Sequence, residues 1–337
     1  MAVTYRKKFV WFLFYKIVVC FGLLLSSRVV SFSSSTMEAF LIVVDQTGKG
    51  DYKRIQEAIN SVASNNSQQM YISIKPGIYR EKIVIPADKP FITLSGTEGL
   101  NTTITWNDSG EIFESPTLSV MASDFVARHL TIQNTFGTSG KGIALRVSAD
   151  RAAFYGCRIL SYQDTLLDDY GRHYYNNCYI EGATDFICGN AASLFENCQL
   201  NSLAKNLGII TAQHRNSPSE NTGFIFLGCK ITGLDNGTVL GRPWGPFSRV
   251  IFANTYMSNA VSPEGWRDWD ESKYERTVYY GEYKCYGPGA NRSNRVKWSH
   301  ELSHDESAPF MNKTIIGGRS WLRPTPTRFK KHMPHAD

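Results

Sequence analysis

The chain has 337 residues, of which 42% are hydrophobic and 20% charged, so it can bury a sizeable core and is not mainly disordered. Its glycines show no three-residue period, which excludes a collagen-like polymer. The formal net charge of +6 does not indicate a nucleic-acid partner, because most of the excess lies in the first 35 residues, which contain no acid. Those basic residues are Arg6, Lys7, Lys8, Lys16 and Arg28.

The N-terminal segment has the form of a secretory signal peptide over residues 1–35. A basic start precedes an apolar run at residues 9–25, and a serine-rich stretch follows, so we expect cleavage at about residues 25–35. A membrane anchor is the alternative, for which a run interrupted by Lys16 is marginal. We therefore expect a secreted protein with no membrane contact after the signal is removed. Because this segment is short, we also expect no pro-domain.

Six asparagines head N-x-S/T sequons, in agreement with export and N-glycosylation. They are Asn65, Asn101, Asn107, Asn236, Asn291 and Asn312. At the other end of the chain, residues 326–337 form a basic tail. We expect this tail to be solvated, and the alternative is a contact with an acidic polymer.

The first predicted element is a helix within residues 51–63, where Ile55, Ile59 and Val62 share one face. We expect this short helix to cover the open end of the fold. Four strands are predicted to follow it, at residues 71–74, 82–85, 91–94 and 103–106.

A short motif then recurs in six units, of which four have an aromatic residue, a small residue three positions later and an aliphatic residue two positions after that. In four copies the small residue is a cysteine, and these are Cys157, Cys178, Cys198 and Cys229. Related segments surround Leu130 and Thr255. Repeats at this spacing are typical of a parallel β-solenoid, in which each coil stacks on its neighbours. We therefore predict one all-β solenoid domain from about residue 40 to 325.

In such a solenoid the four motif cysteines form an internal ladder of small apolar side chains. A disulfide framework is the alternative for an exported chain. Cys188 and Cys285 lie outside the motif, and the sequence leaves open whether they pair.

Two aspartates occupy equivalent places on consecutive coils, because Asp164 and Asp185 each follow a motif cysteine by seven residues. Adjacent strands lie about 4.8 Å apart, so the two carboxyls are expected to couple, with one holding its proton near neutral pH. One can then act as an acid while the other attacks as an anion. The alternative is a solvated surface pair.

The segments around these aspartates resemble the signatures of the pectinesterases, and in particular of a plant member. They are Tyr162-Gln163-Asp164-Thr165-Leu166, residues 182–191 with Asp185 and Phe186, and Leu240-Gly241-Arg242-Pro243-Trp244. The resemblance covers about residues 42–323. It implies a right-handed parallel β-helix with an outer cleft, no metal or cofactor, and a location in the plant cell wall. The implied reaction is hydrolysis of methyl esters in pectin, that is methyl-esterified homogalacturonan.

The resemblance also implies a role for each catalytic residue. Asp185 matches the nucleophile, and Asp164 matches the proton donor that later activates water. Gln163 matches one of two oxyanion-binding glutamines. Arg242 matches the residue that orients the nucleophile and keeps it ionised.

Three aromatic residues are expected to line the cleft as apolar walls for sugar rings: Trp244, Phe186 and Trp266. The implied partners are pectin and proteinaceous pectinesterase inhibitors. A polysaccharide lyase or galacturonase is the nearest rival among β-solenoids, and the aspartate pair fits ester cleavage better.

Lys141 is the most consequential departure from the family pattern, because the second oxyanion glutamine normally stands at this position. An ammonium there either donates to the oxyanion or pairs with Asp185 or a substrate carboxylate, and it does not reproduce the fixed geometry of an amide. A catalytically impaired pectin-binding protein is therefore the alternative function. Leu167 and Cys188 are two smaller departures.

Overall fold

Short strands with one inward-facing row of apolar side chains make up most of the fold. The computed structural model describes residues 38–97, 101–234, 236–269 and 272–332. In the strand Met70–Ile74, for example, every second residue is buried. Because successive side chains of a strand point to opposite faces, this alternation gives each strand one face for the core.

The strands of the described residues are, in chain order, β1 (Glu38–Val44), β2 (Met70–Ile74), β3 (Gly77–Arg80), β4 (Ile83–Ile85), β5 (Ile92–Gly96), β6 (Thr102–Trp106), β7 (Leu118–Val120), β8 (Phe125–Arg128), β9 (Thr131–Asn134), β10 (Leu145–Ser148), β11 (Ala152–Tyr155), β12 (Arg158–Leu160), β13 (Leu166–Tyr170), β14 (Arg172–Asn176), β15 (Tyr179–Gly182), β16 (Ile187–Gly189), β17 (Ala192–Glu196), β18 (Gln199–Ser202), β19 (Gly208–Gln213), β20 (Gly223–Leu227), β21 (Lys230–Gly233), β22 (Thr238–Pro243), β23 (Arg249–Ala253), β24 (Tyr256–Met257), β25 (Tyr279–Tyr283), β26 (His300–Glu301) and β27 (Arg328–Lys331).

These strands pair in parallel into three sheets. Sheet A has the order β26-β25-β23-β20-β17-β14-β11-β8-β5-β2-β1-β27, sheet B the order β24-β21-β18-β15-β12-β9-β6-β3, and sheet C the order β22-β19-β16-β13-β10-β7-β4. Most neighbours within a sheet are three strands apart in sequence, so each coil contributes one strand to each sheet. The predicted parallel β-solenoid is confirmed.

Two ladders of like side chains run through the core. The aromatic ladder stacks Phe154, Tyr175, Phe195, Phe226 and Phe252, with successive ring centroids 4.9, 4.5, 4.6 and 4.5 Å apart. Such offset stacks add to the gain from burying each ring. The register between neighbouring coils therefore determines which side chains stack on one another in the core.

The second ladder consists of the motif cysteines, which are buried and unbridged, so the predicted thiol ladder is confirmed. Cys285 extends it: its Sγ lies 3.4 Å from the carbonyl of Phe252, as that of Cys229 lies 3.3 Å from the carbonyl of Phe195. We did not predict this extra rung, because Glu282 stands there where the other copies carry an aromatic residue. Cys188 is also unbridged.

A helix, α1 (Ile55–Asn60), packs against β1, β2 and β4 and is shorter than the predicted residues 51–63. Arg54 precedes it and supplies no side-chain cap. Instead the carboxylate of Glu81 accepts hydrogen bonds from the backbone N–H groups of Ile55 (3.0 Å) and Gln56 (3.1 Å). A distant acid thus satisfies the free donors of the first turn, which fixes where the helix begins.

The C-terminal part of the chain contains short helices, of which Lys313–Ile316 packs on β14 and β17 of sheet A. It contains α2 (His304–Ser307), capped by Ser303, and the 3₁₀ helices Ser272–Arg276, Pro288–Ala290, Ala308–Phe310, Lys313–Ile316 and Gly318–Ser320. Ile316 and Trp321 pack on sheet A in a second apolar cluster. Part of the basic tail is the strand β27, whose backbone pairs with β1 while its side chains are exposed to solvent.

The expected signal peptide lies outside the described residues. Within the described ranges, no helix is sufficiently long and apolar to cross a membrane.

Candidate active site

Asp164 and Asp185 occupy the turns that lead into neighbouring strands of sheet C. Their φ angles are +58° and +47°, in the left-handed region that aspartate tolerates better than most residues. The backbone N–H of Asp164 donates to the carbonyl of Thr184 (3.1 Å), and Leu166 pairs with Ile187 just beyond. The register therefore places the two aspartates side by side, in the equivalent positions that the spacing predicts.

Arg242 binds Asp185 through two hydrogen bonds. Its Nε lies 2.9 Å from Oδ1 and its Nη2 lies 2.6 Å from Oδ2. Arg242 is on β22, two strands along sheet C from β16, so the sheet itself spaces the guanidinium from the carboxylate. This fork-to-fork contact fixes the orientation of the carboxylate and favours its charged form.

The two carboxyls differ in protonation. Burial raises the pKa of Asp164 to about 7, the charge of Asp185 acts in the same direction, and the charges of Lys141 and Arg242 oppose it. Burial also raises the pKa of Asp185, but the hydrogen bonds and charge of Arg242 and the charge of Lys141 counteract this rise. The pKa of Asp185 is still raised overall, but Asp185 alone receives the hydrogen bonds of Arg242, so the shared proton belongs on Asp164 and the negative charge on Asp185.

These residues line one cavity of about 190 Å³ on the outer face of sheet C. Of the predicted site residues, it brings together Lys141, Gln163, Asp164, Asp185, Arg242 and Trp244. Cys188, which we noted as a departure from the family pattern, also lines the cavity, and three residues that we did not predict complete the lining: Ile112, Ala212 and Trp269. The cavity thus has a charged floor and an apolar rim.

Lys141 stands at the cavity beside Gln163. The backbone N–H of its neighbour Gly142 donates to the carbonyl of Gln163 (3.2 Å), which ties the two segments together. The Lys141 side chain is exposed. Its ammonium therefore reaches the site from solvent, on a flexible stem.

The aromatic walls are Trp244 and Trp269. Trp244 is 37% exposed and stacks on the ring of His214, with centroids 4.4 Å apart. The ring of Trp269 lies 3.6 Å from the guanidinium carbon of Arg242, a cation–π contact that holds the arginine from the opposite side. Trp269 belongs to no repeat and to none of the family strings that we quoted, so no sequence signal that we used could have found it.

The prediction that Phe186 and Trp266 line the cleft is wrong. Phe186 is 0% exposed and belongs to the main hydrophobic core. Its neighbour Gly182 leaves space for it, since a Cβ there would lie 2.3 Å from the Cβ of Phe186. Trp266 is 1% exposed and stacks on Tyr280 at 4.4 Å.

Within the described part of the chain, no group of three or more His, Cys, Asp or Glu side chains is arranged to hold a metal ion.

The fold is a parallel β-helix, and its outer cavity holds two aspartates, one protonated and the other ionised. This arrangement defines an enzyme whose chemistry uses two carboxyl groups. The Pectinesterase family model matches residues 41–319, and the chain belongs to the pectinesterase family. Pectinesterases are carboxylic ester hydrolases.

Individual relatives agree with this membership. The chain is 63% identical over 294 residues to the Arabidopsis thaliana protein named "Putative pectinesterase 11", covering 87% of this chain and 83% of that one. It is 41% identical over 304 residues to pectinesterase 31 of the same plant, covering 84% and 95%. Among solved structures, pectin methylesterase from carrot superposes with a TM-score of 0.80 at 35% identity, covering 83% of this chain and 94% of that one.

Proposed function

We propose that this protein hydrolyses the methyl esters of homogalacturonan, releasing methanol and leaving de-esterified pectin. The observation that carries the proposal is the pairing of Asp185, held as an anion by Arg242, with Asp164, which keeps its proton up to about pH 7. A nucleophile and a proton donor therefore stand in one cavity at the same pH.

In the first half of the reaction, a carboxylate oxygen of Asp185 attacks the ester carbonyl carbon. The carbonyl electron pair moves to oxygen and forms an oxyanion. When the carbon–methoxy bond breaks, the Asp164 proton passes to the methoxy oxygen, and methanol leaves. The product is an acid anhydride between Asp185 and the uronate, and Asp164 is now ionised.

In the second half, the Asp164 carboxylate takes a proton from a water molecule as its oxygen attacks the uronate carbonyl. The Asp185 carboxylate leaves with the bonding electron pair and regains its contact with Arg242. The sugar keeps a free carboxyl group, and Asp164 holds its proton again. The cycle therefore restores both carboxyls without a cofactor.

The oxyanion formed at each attack needs donors on the cavity wall. The Gln163 amide and the Lys141 ammonium both line the cavity on the side of the aspartate pair. A positive charge there stabilises an anionic intermediate, and each well-placed donor lowers the barrier by about 3 kcal/mol. This supports a catalytic contribution from both residues.

Lys141 prompted the alternative of an impaired pectin-binding protein, and the geometry gives that alternative no support. The Arg242–Asp185 contact is intact, and Lys141 forms no ion pair with either aspartate. The cavity therefore retains the nucleophile, the acid and the residue that orients the nucleophile.

We also propose secretion to the plant cell wall, with pectin as the binding partner and proteinaceous inhibitors as further partners. The form of residues 1–35 supports export. All six sequon asparagines are exposed, as N-glycosylation requires.

The test is methanol release from highly methylated pectin by the purified chain, compared with the Asp185→Asn variant and an empty preparation. We expect a rate for the natural chain and none for the variant. Equal rates would contradict the assignment of the nucleophile. No methanol from the natural chain between pH 4 and 9 would contradict the reaction itself.

A further inference from the structure

A second cavity, here called the sheet A groove, lies on the outer face of sheet A, whereas the catalytic cavity lies on sheet C. The sheet A groove has a volume of about 370 Å³. Its floor comes from β11, β14 and β17, and its rim from residues 313–323 of the C-terminal segment. The lining residues that matter are Tyr155, Tyr174, Glu196, Lys313, Arg319 and Arg323. None of them lines the catalytic cavity.

The single acid of the groove is already neutralised. Glu196 lies 3.3 Å from Nζ of Lys313, and it also accepts a hydrogen bond from the hydroxyl of Tyr174. Lys313 in turn lies over the Tyr174 ring at 4.9 Å. This local cluster leaves no negative charge for the other cations of the groove.

The two arginines of the rim carry charge that the protein does not offset. Arg319 is exposed and forms no ion pair with a described residue. The carboxylate nearest to Arg323 is Asp124, at 3.8 Å, and Asp124 is already bound by two nitrogens of Arg151, at 3.0 and 2.6 Å. The groove therefore has net positive charge.

Arg128 adds a third guanidinium beside the groove. It lies 4.1 Å from the centroid of the Tyr155 ring, which forms part of the floor. Its Nε is buried and has no hydrogen-bond partner among the described residues. Its charge adds to the positive potential near the groove.

We propose that the sheet A groove binds de-esterified homogalacturonan, the polyuronate that the proposed function produces. Guanidinium groups match carboxylates in charge and in their two-pronged geometry. A methyl-esterified segment carries no carboxylate, so the groove discriminates in favour of product. This inference rests on the proposed function for the identity of the polymer.

Such a site separates two tasks between two faces of the solenoid. The cavity on sheet C acts on esters, and the groove on sheet A holds an acidic stretch of polymer. The enzyme then stays on wall material that it has already modified, and its retention increases as de-esterification proceeds.

The test compares Arg319→Gln/Arg323→Gln with the natural chain in binding to polygalacturonate. The matched control is Arg80→Gln/Arg276→Gln, which removes two exposed arginines elsewhere on the surface. We expect the groove variant to bind polygalacturonate about fivefold or more weakly, and the control to stay within twofold. Methanol release from a short methylated oligogalacturonate should be unchanged in both variants.

Equal binding by the groove variant and the natural chain would overturn the proposal. So would an equal loss of binding to polygalacturonate and to highly methylated pectin, because the groove would then not recognise the free carboxylate. Methanol release by the natural chain tests the proposed function separately. A chain that binds polygalacturonate through the groove but releases no methanol would contradict the reaction and leave the groove assignment standing.

Discussion

Arg242 reaches Asp185 across 57 residues of chain and binds both of its carboxylate oxygens, while the adjacent Asp164 has no hydrogen bond from this guanidinium. Two chemically identical side chains on consecutive coils thus receive different environments. The difference comes from Arg242, which lies on strand β22 of sheet C. The division of labour between nucleophile and acid follows from it.

Asp185→Asn should reduce methanol release at least about a thousandfold, because an amide does not attack an ester. The amide has nearly the same size as the carboxyl and can still accept a hydrogen bond from Arg242, so we expect a folded variant. Thermal unfolding followed by circular dichroism checks this point. A variant that is fully folded and retains its rate would show that another group attacks the ester.

Replacement of Arg242 should raise the pKa of Asp185, because the hydrogen bonds and charge of Arg242 now hold that pKa down. Asp185 must be ionised to attack, so the acidic limb of the pH profile of kcat/KM should move to higher pH. Arg242→Gln removes both the positive charge and the two-pronged hydrogen bonding of the guanidinium, whereas Arg242→Lys keeps the charge. We expect a larger shift in the glutamine variant. Identical pH profiles in all three proteins would show that Arg242 does not affect the pKa of Asp185.

Lys141→Gln should move the basic limb of the pH profile to higher pH. Asp164 must be protonated to act, its pKa is about 7, and the charge of Lys141 now lowers it. Loss of this charge raises the pKa, so activity persists to higher pH. Lys205→Gln, a change at an exposed lysine outside the cavity lining, is the control. The measurement is kcat against pH, and an unchanged basic limb would place the ammonium outside the reach of Asp164.

His173→Gln should destabilise the fold by about 3–5 kcal/mol, because it breaks a buried ion pair. His173 is fully buried, with Nδ1 2.6 Å from the Asp168 carboxylate and Nε2 2.8 Å from the carbonyl of Ala149. Burial alone lowers the pKa of His173, but the charge and hydrogen bond of Asp168, together with the Ala149 carbonyl, outweigh it and raise the pKa overall.

The sign of this shift gives a pH dependence. A folded-state pKa above the unfolded value of about 6.5 means that the stabilisation is fully present below that value. It is lost as pH rises through the folded-state pKa. The difference in unfolding free energy between His173→Gln and the natural chain should therefore be larger at pH 5 than at pH 9, as measured by urea unfolding. An exposed change, His300→Gln, should show no comparable difference.

The repeat explains why part of the site could be predicted. Asp164 and Asp185 fall at equal distances from two rungs of the thiol ladder, so periodicity alone placed them together. Arg242 lies beyond a longer coil, and only its resemblance to a family string pointed to it. Trp269 follows no period, and its position depends on how an irregular loop returns to the cavity.

The errors have an equally local origin. Phe186 was expected in the cleft because it adjoins Asp185, but the chain turns at Asp185, whose φ is +47°, and Phe186 is buried in the core. Cys285 was left out of the repeat because Glu282 interrupts the aromatic ladder. Glu282 is buried, and its Oε1 lies 3.0 Å from Nε of Arg295. At the last coils this ion pair therefore takes the place of a stacked aromatic ring. A pattern of residue types does not reveal such an exchange.

The thiol ladder has a consequence for how this protein can be obtained. Its six described cysteines form no covalent cross-link, and burial raises the pKa of the Cys157, Cys178 and Cys198 thiols well above the usual range. Thiols in that state react slowly with oxidants and with one another. The chain therefore needs no oxidising folding machinery, and the bacterial cytoplasm, with its reducing glutathione pool, is a suitable place to produce it.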